Sequence, residues 1–166
     1  MSHVHALERI KGKEAILKLV ARSGKRARYR DSEDVPVRDE VIIIEHILDM
    51  VWGKKIAPTK RSFEGGKLHF KNFSETPLGG LVLRMFRFKT GLMKAGWIAR
   101  RVFRGVEFRS EDLGPKKVCV TMGNNDYPIE HFQGFFHAWM KHSRHKGKVD
   151  AEDLGEDAYA YTIRWK

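Results

Sequence analysis

The feature that most constrains this chain is a change of apolar period within its second half. Val102, Val106 and Phe108, and then Val118, Val120 and Met122, alternate at every second position, as one-faced strands do. Ile129, Phe132, Phe136, Trp139 and Met140 then recur at three- and four-residue steps, the spacing of one helical stripe. Behind them Val149 and Ala151, and then Tyr159, Tyr161, Ile163 and Trp165, alternate again. Residues 110–115, "SEDLGP", are predicted to turn the first hairpin, and Gly155 with its acidic neighbours the second. Asp126 or Tyr127 is expected to cap the intervening helix, with Pro128 in its first turn. An apolar sheet face and an apolar helical stripe each need cover. The expected class is therefore α/β of the α+β kind: N-terminal helices packed on an antiparallel sheet, in the chain order strand-strand-helix-strand-strand.

The first half is read as helical. Ile16, Leu17, Leu19 and Val20 predict a short amphipathic helix that stops near Gly24. A charged, turn-rich loop follows. Pro36, with Asp39 and Glu40 just after it, opens a second helix that ends at Gly53. Residues 41–44 are apolar on every side, so this helix is expected deep in the core. Residues 54–73 conflict: "KLHFKNF" alternates like a strand, while Pro58 and Gly65-Gly66 interrupt it, and the expectation is a loop with a short strand or helical turn. After Pro77, Leu81, Met85, Phe88 and Leu92 predict one amphipathic helix ending near Gly91 or Gly96. All 166 residues are expected to form one domain, with residues 1–76 its helical and loop part and residues 77–166 its helix and sheet core.

Lys and Arg number 32 against 21 acidic residues, giving a formal charge of +11. Such a surface suits nucleic acid, acidic proteins or anionic membranes, and says nothing about fold. One cysteine, Cys119, permits no intrachain disulfide and no thiolate zinc site, so a reducing, cytoplasmic setting is expected. The most apolar run, residues 41–52, is too short to span a bilayer and carries Glu45, His46 and Asp49, so no transmembrane segment is predicted. There is no GxxxxGK[ST], GxSxG, HExxH or GxGxxG motif. Glu130 with His131, and Asp49 with His46, can be drawn as acid–base pairs, but the first is explained by a carboxylate in a helix's first turn. No catalytic residue is assigned.

The "RRVFRGVEFRSEDLGPKKVCVTM" hairpin, the "YPIEHFQGFFHAWM" helix and the closing "AYTIRW" strand, together with the Pro77 helix before them, resemble a family of uncharacterised paralogous proteins of myxobacteria. That family in turn resembles the heme-NO-binding and 4-vinyl-reductase-like domains, whose fold is shared by transport-complex subunits of the Golgi. The resemblance covers about the last half of the chain. It implies a helix-plus-antiparallel-sheet domain with a cavity between the two, used in relatives for heme, tetrapyrrole-like or lipid ligands, or a surface used for assembly. Tyr127-Pro128, Gly134 and Trp165 are the matching positions. The Tyr-x-Ser-x-Arg triplet that grips heme propionates is absent, as is a cysteine in the closing hairpin. The cofactor is thus left unassigned, with heme the one the resemblance brings forward.

Phe86 and Trp97 from the Pro77 region, with Phe132, Gly134, Phe136 and Trp139 from the aromatic helix, are the candidate ligand-pocket residues; the same set would also serve as ordinary core. Gly134 costs a helix interior up to about 1 kcal/mol relative to alanine, which close approach of the sheet or of a ligand would offset. His131, beside the stripe with Phe135 and Ala138, is the one candidate metal-binding histidine; otherwise it is a boundary side chain with one hydrogen bond. His137, His142 and His145 are read as solvated. The function expected is a non-catalytic sensory or regulatory domain that binds a small apolar or amphipathic molecule and acts through a protein partner or as a homo-oligomer. Two alternatives stand beside it. One is charge-driven nucleic-acid association through Arg22, Lys25, Arg26, Arg28 and Arg30, with Tyr29 stacking and a second patch at Arg100, Arg101, Arg104 and Arg109. The other is an assembly subunit with a filled core.

Overall fold

The computed structural model describes residues 2–27, 36–99 and 105–166. Among these the chain order is α1 (Ser2–Lys11), α2 (Lys13–Ser23), α3 (Val37–Trp52), a 3-10 turn (Gly53–Lys55), α4 (Pro58–Glu75), α5 (Pro77–Met85), α6 (Phe88–Met93), α7 (Ala95–Ala99), β1 (Glu107–Gly114), β2 (Lys117–Gly123), α8 (Ile129–His142), β3 (Gly147–Gly155) and β4 (Ala158–Trp165). The strand-strand-helix-strand-strand order is therefore present. Across the sheet the sequence of strands is β1-β2-β4-β3, all antiparallel, so that β4 lies inside and joins the two hairpins.

Alternation fixes which sheet face is buried. Val118 faces Ile163 and Val120 faces Tyr161 across β2 and β4, and Val149 faces Ile163 across β3 and β4. These side chains, with Met122 and Trp165, are buried. Helix α8 covers them. Tyr161 donates its hydroxyl to Ile129 O at 3.1 Å, and Gln133 Nε2 donates to Val149 O at 2.9 Å, which ties the helix to β4 and β3. The other face carries Arg109, Glu111, Asp150 and Arg164, the last two forming an ion pair.

The all-apolar α3 has a structural reason. Val41, Ile44 and Leu48 join the main core against α4 to α8 and the sheet, while Ile43 and Ile47 join a second core with Val4, Leu7, Ala15 and Leu19 of α1 and α2. A helix between two cores needs apolar residues on two sides. Its ends follow the local code: Pro36 precedes it, Asp39 and Glu40 occupy its first turn, and Gly53 ends it at φ 56°. Gly24 ends α2 in the left-handed conformation at φ 63°, its N–H donating to Val20 O.

Several expectations are corrected. Residues 58–75 are one long helix, not a loop with a strand. The region after Pro77 is three short helices, because Phe86 and Arg87 adopt extended backbone between α5 and α6. Leu81 and Met85, placed on the buried stripe of that helix, face solvent, and Val82 is the buried residue of the turn. Residues 110–114 continue β1 through an irregularity at Asp112–Gly114, and the turn is Pro115-Lys116. Pro128 itself, not Asp126 or Tyr127, occupies the N-cap of α8. Helix α1 was not foreseen. Val102 and the basic residues Arg28, Arg30, Arg100, Arg101 and Arg104, with Tyr29, lie outside the described residues.

Candidate functional site

Helices α4 and α8 cross so closely that their backbones touch, and glycine makes this feasible on both sides. A methyl at Gly134 would lie 2.8 Å from the carbonyl carbon of Phe63, and one at Gly66 would lie 2.7 Å from the carbonyl carbon of His131. Gly134 is thus explained by a helix, where the sequence suggested the sheet or a ligand. Gly65, beside Gly66, takes up the Leu48 side chain of α3 in the same way.

This crossing brings two histidines together. Nδ1 of His69 on α4 and Nε2 of His131 on α8 are 3.0 Å apart, one nitrogen donating and the other accepting according to tautomer. Both rings are buried. Tyr127 stacks on His131 with ring centres 4.7 Å apart. Its phenol is pushed well above its ordinary pKa, first by burial and then by the Glu40 carboxylate of α3. The hydroxyl makes no hydrogen bond of ordinary geometry, and the Glu40 carboxylate is its charged neighbour. Asn125 supports the turn, its Oδ1 accepting from Tyr127 N and its own N donating to Asp157 O. His131 is therefore a core histidine bonded to a second histidine, rather than a boundary residue.

Next to the pair is a small cavity of about 30 Å³, open to no polar side chain but His69 among its lining residues. Phe132, Phe136 and Trp139 of the predicted pocket line it, with Phe135 beside them. Ala95, Ile98 and Ala99 of α7 and Phe108 of β1 form the opposite wall. Phe86 and Trp97 are not among its lining residues: their rings meet edge to face at 6.4 Å, with Trp97 48% exposed. Gly134 is at the α4 crossing. The structure thus brings together three of the six pocket candidates and adds His69, which sequence reasoning missed because its segment looked strand-like.

Two of the remaining histidines differ from their solvated reading. His137 is half-buried against Phe63 at 5.6 Å, its Nδ1 has no partner, and burial lowers its pKa. His145 packs on Phe88 and Trp165. His142 is exposed, with its ring edge on Phe70. Asp49, drawn with His46 as an acid–base pair, holds Arg61 at 2.7 Å and Arg22 at 3.7 Å instead. Lys25 pairs with Asp39 at 2.7 Å. Of the five cations offered for nucleic acid, Arg22 sits in the last turn of α2 rather than in a loop, and it and Lys25 are paired with α3 carboxylates; Arg26 is exposed. Arg109 lies on the outer sheet face near Glu107. Among the described residues no cluster of three His, Cys, Asp or Glu side chains could hold a metal ion, and no helix is long and apolar enough to cross a membrane.

The helices, the four-stranded sheet and the compartment between them define the H-NOX fold. A structure described as giving insights into the mechanism of H-NOX activation superposes with a TM-score of 0.75 over 99% of this chain and 93% of that one, at 14% identity. An oxygen-binding H-NOX domain related to soluble guanylate cyclases matches at 0.75 over 99% and 92%, also at 14% identity. A single-residue mutant of the T. tengcongensis H-NOX matches at 0.73, with 14% identity over 99% and 93%. By sequence, the chain belongs to the family described as protein of unknown function DUF2378, which matches residues 62–166. No curated protein matches it.

The group named for the H-NOX family among these solved structures is heme, and the residues here do not fit it. A ligand pocket for a molecule of that class needs roughly 300 Å³ or more. The cavity offers about 30 Å³. The Tyr-x-Ser-x-Arg triplet is also absent from the sequence.

Proposed function

We propose that this chain is a non-catalytic regulatory domain of the H-NOX fold, a member of the myxobacterial paralogous family that its sequence resembles. It acts in the cytoplasm, as one domain, through a protein partner. The observation that carries the reading is the apolar cavity between α4, α7, α8 and the sheet, which ends on the buried His69–His131 pair. About 30 Å³ admits a molecule the size of one or two small atoms in a line, comparable to a water's share of liquid volume. One solved structural relative is described as oxygen-binding. A larger apolar or amphipathic ligand enters only if α6 and α7 move off the sheet, and such a movement is the signal a partner would read.

A second reading has its own observation. The small volume of the cavity and the backbone-to-backbone α4–α8 crossing favour an assembly subunit whose core is filled by its own side chains. Nucleic-acid association is the weaker alternative, because Arg22 and Lys25 are already paired.

Native mass spectrometry before and after denaturation, with an absorption spectrum, tests the choice. A co-purifying apolar molecule, lost when Ala99→Phe fills the cavity, supports the ligand reading. A bare chain whose melting temperature is unmoved by decanoate and indole overturns it in favour of the filled core.

A further inference from the structure

We propose that the face built by α5, α6 and α7 docks on an anionic lipid surface, independently of what occupies the core. Residues 77–99 contain Arg84, Arg87, Lys89 and Lys94 and no Asp or Glu. They also carry four exposed large apolar side chains: Leu81 is 48% exposed, Met85 64%, Met93 36% and Trp97 48%. Single exposed apolar residues need no explanation, but here four fall between Leu81 and Trp97. Leu81 and Met85 stand one turn apart on α5. Phe86, the next residue, packs edge to face on Trp97, and Lys94 Nζ sits 5.8 Å from the Phe86 ring.

Lys25, Arg61, Lys67 and Lys148, elsewhere on the molecule, each hold a carboxylate. Arg84, Arg87 and Lys94 hold none among the described residues, and Arg84 bonds only Gly80 O along its own helix through Nε. Lys89 alone is engaged, by Asp112 and by Gly114 O. Leucine, methionine and tryptophan tips beside Arg84, Arg87 and Lys94 match a bilayer interface. There the apolar tips enter the acyl boundary, the indole sits at headgroup level, and each cation gains from anionic lipid. Nucleic acid offers nothing to Leu81 or Met85, since its apolar surfaces are stacking faces.

The test is co-sedimentation of the full chain with vesicles of phosphatidylcholine alone and of phosphatidylcholine with one third phosphatidylglycerol. Binding is expected on the anionic vesicles only. Met85→Ser with Trp97→Ser leaves the net charge unchanged and is expected to lower the partition coefficient roughly tenfold. Arg84→Gln with Arg87→Gln is expected to lower it roughly twenty-five-fold, at about fivefold per cation. Lys13→Gln with Lys18→Gln removes the same charge from exposed α2 and should leave it within about twofold. All six side chains are exposed, so thermal melts verify that folding is kept. Absence of binding to anionic vesicles overturns the proposal. So does binding that the apolar pair does not weaken, or that the α2 pair weakens as much as the arginines, since net charge alone then explains it. A concentration-dependent dimer broken by Met85→Ser also overturns it and gives the face to a second copy.

Discussion

Gly134→Ala should be strongly destabilising even though alanine is the better helix former. The substitution gains up to about 1 kcal/mol of helix propensity. Against this, the new methyl would lie 2.8 Å from the Phe63 carbonyl carbon and 3.1 Å from its Cα, and closer still to its oxygen. These are backbone atoms, so no rotamer change relieves them; α4 and α8 must part by about 1 Å, a gap that forfeits a quarter to a half of each contact well. The contacts at stake are Phe70 with Phe135 and Trp139, Phe73 with Phe135, and His69 with Phe135 and His131. Losing about half of several such pairs, with an overpacking cost of about 1–3 kcal/mol, gives a net loss of about 3 kcal/mol. For a chain of this size that lowers the melting temperature by about 9 °C. Gly80→Ala is the paired control: a methyl there meets only Ser74 O, at 3.8 Å, and the same propensity term should raise the melting temperature by about 2 °C. Thermal denaturation followed by circular dichroism measures both. A Gly134→Ala protein that melts at or above the parent temperature refutes the backbone-contact argument.

Tyr127→Phe removes a buried hydroxyl that meets no ordinary hydrogen-bond geometry, and should leave stability unchanged or raise it by about 1 kcal/mol in urea denaturation; a loss larger than that would show that the Glu40 carboxylate binds it. His137 has a lowered pKa through burial, so the unfolded chain takes up its proton first as pH falls through the ordinary value of 6.5. Its contribution is full above that value and is lost below it. The parent's melting temperature should therefore fall more than that of His137→Phe between about pH 7.5 and pH 5.5, and equal slopes would refute the assignment.

The sheet and α8 were legible because their buried residues are apolar and evenly spaced: Val118, Val120 and Met122, or Phe132, Phe136 and Met140, state their period without ambiguity. Helix α4 was not, and the reason is chemical. Its buried face includes Gly65, Gly66, His69, Asn72 and Phe73, so a helical period exists but is written largely in residues that no hydrophobic pattern counts. The alternation of Leu68 and Phe70 then dominated the reading. Part of the site was lost with it, since His69 is recognisable only once Gly66, His69 and Phe73 are placed on one helical face. Leu81 and Met85 failed in the opposite way. Their spacing is that of a core stripe, but the stripe faces outward, and only tertiary packing of Val82 decides that. The break at Phe86 and Arg87 has no glycine or proline to announce it.

The placement of β4 has a consequence for how the fold is reached in time. The β1–β2 and β3–β4 hairpins are local and can each form early, but they share a sheet only through β2 and β4, where Lys117 pairs with Arg164 and Met122 with Tyr159. That seam joins segments far apart in the chain, with α8 between them, so it carries the largest loop-closure cost of the sheet. Its docking is expected to set the folding rate. Val120→Ala or Ile163→Ala, on either side of the seam, would then slow folding, whereas changes at the outer edge of β1 would mainly hasten unfolding.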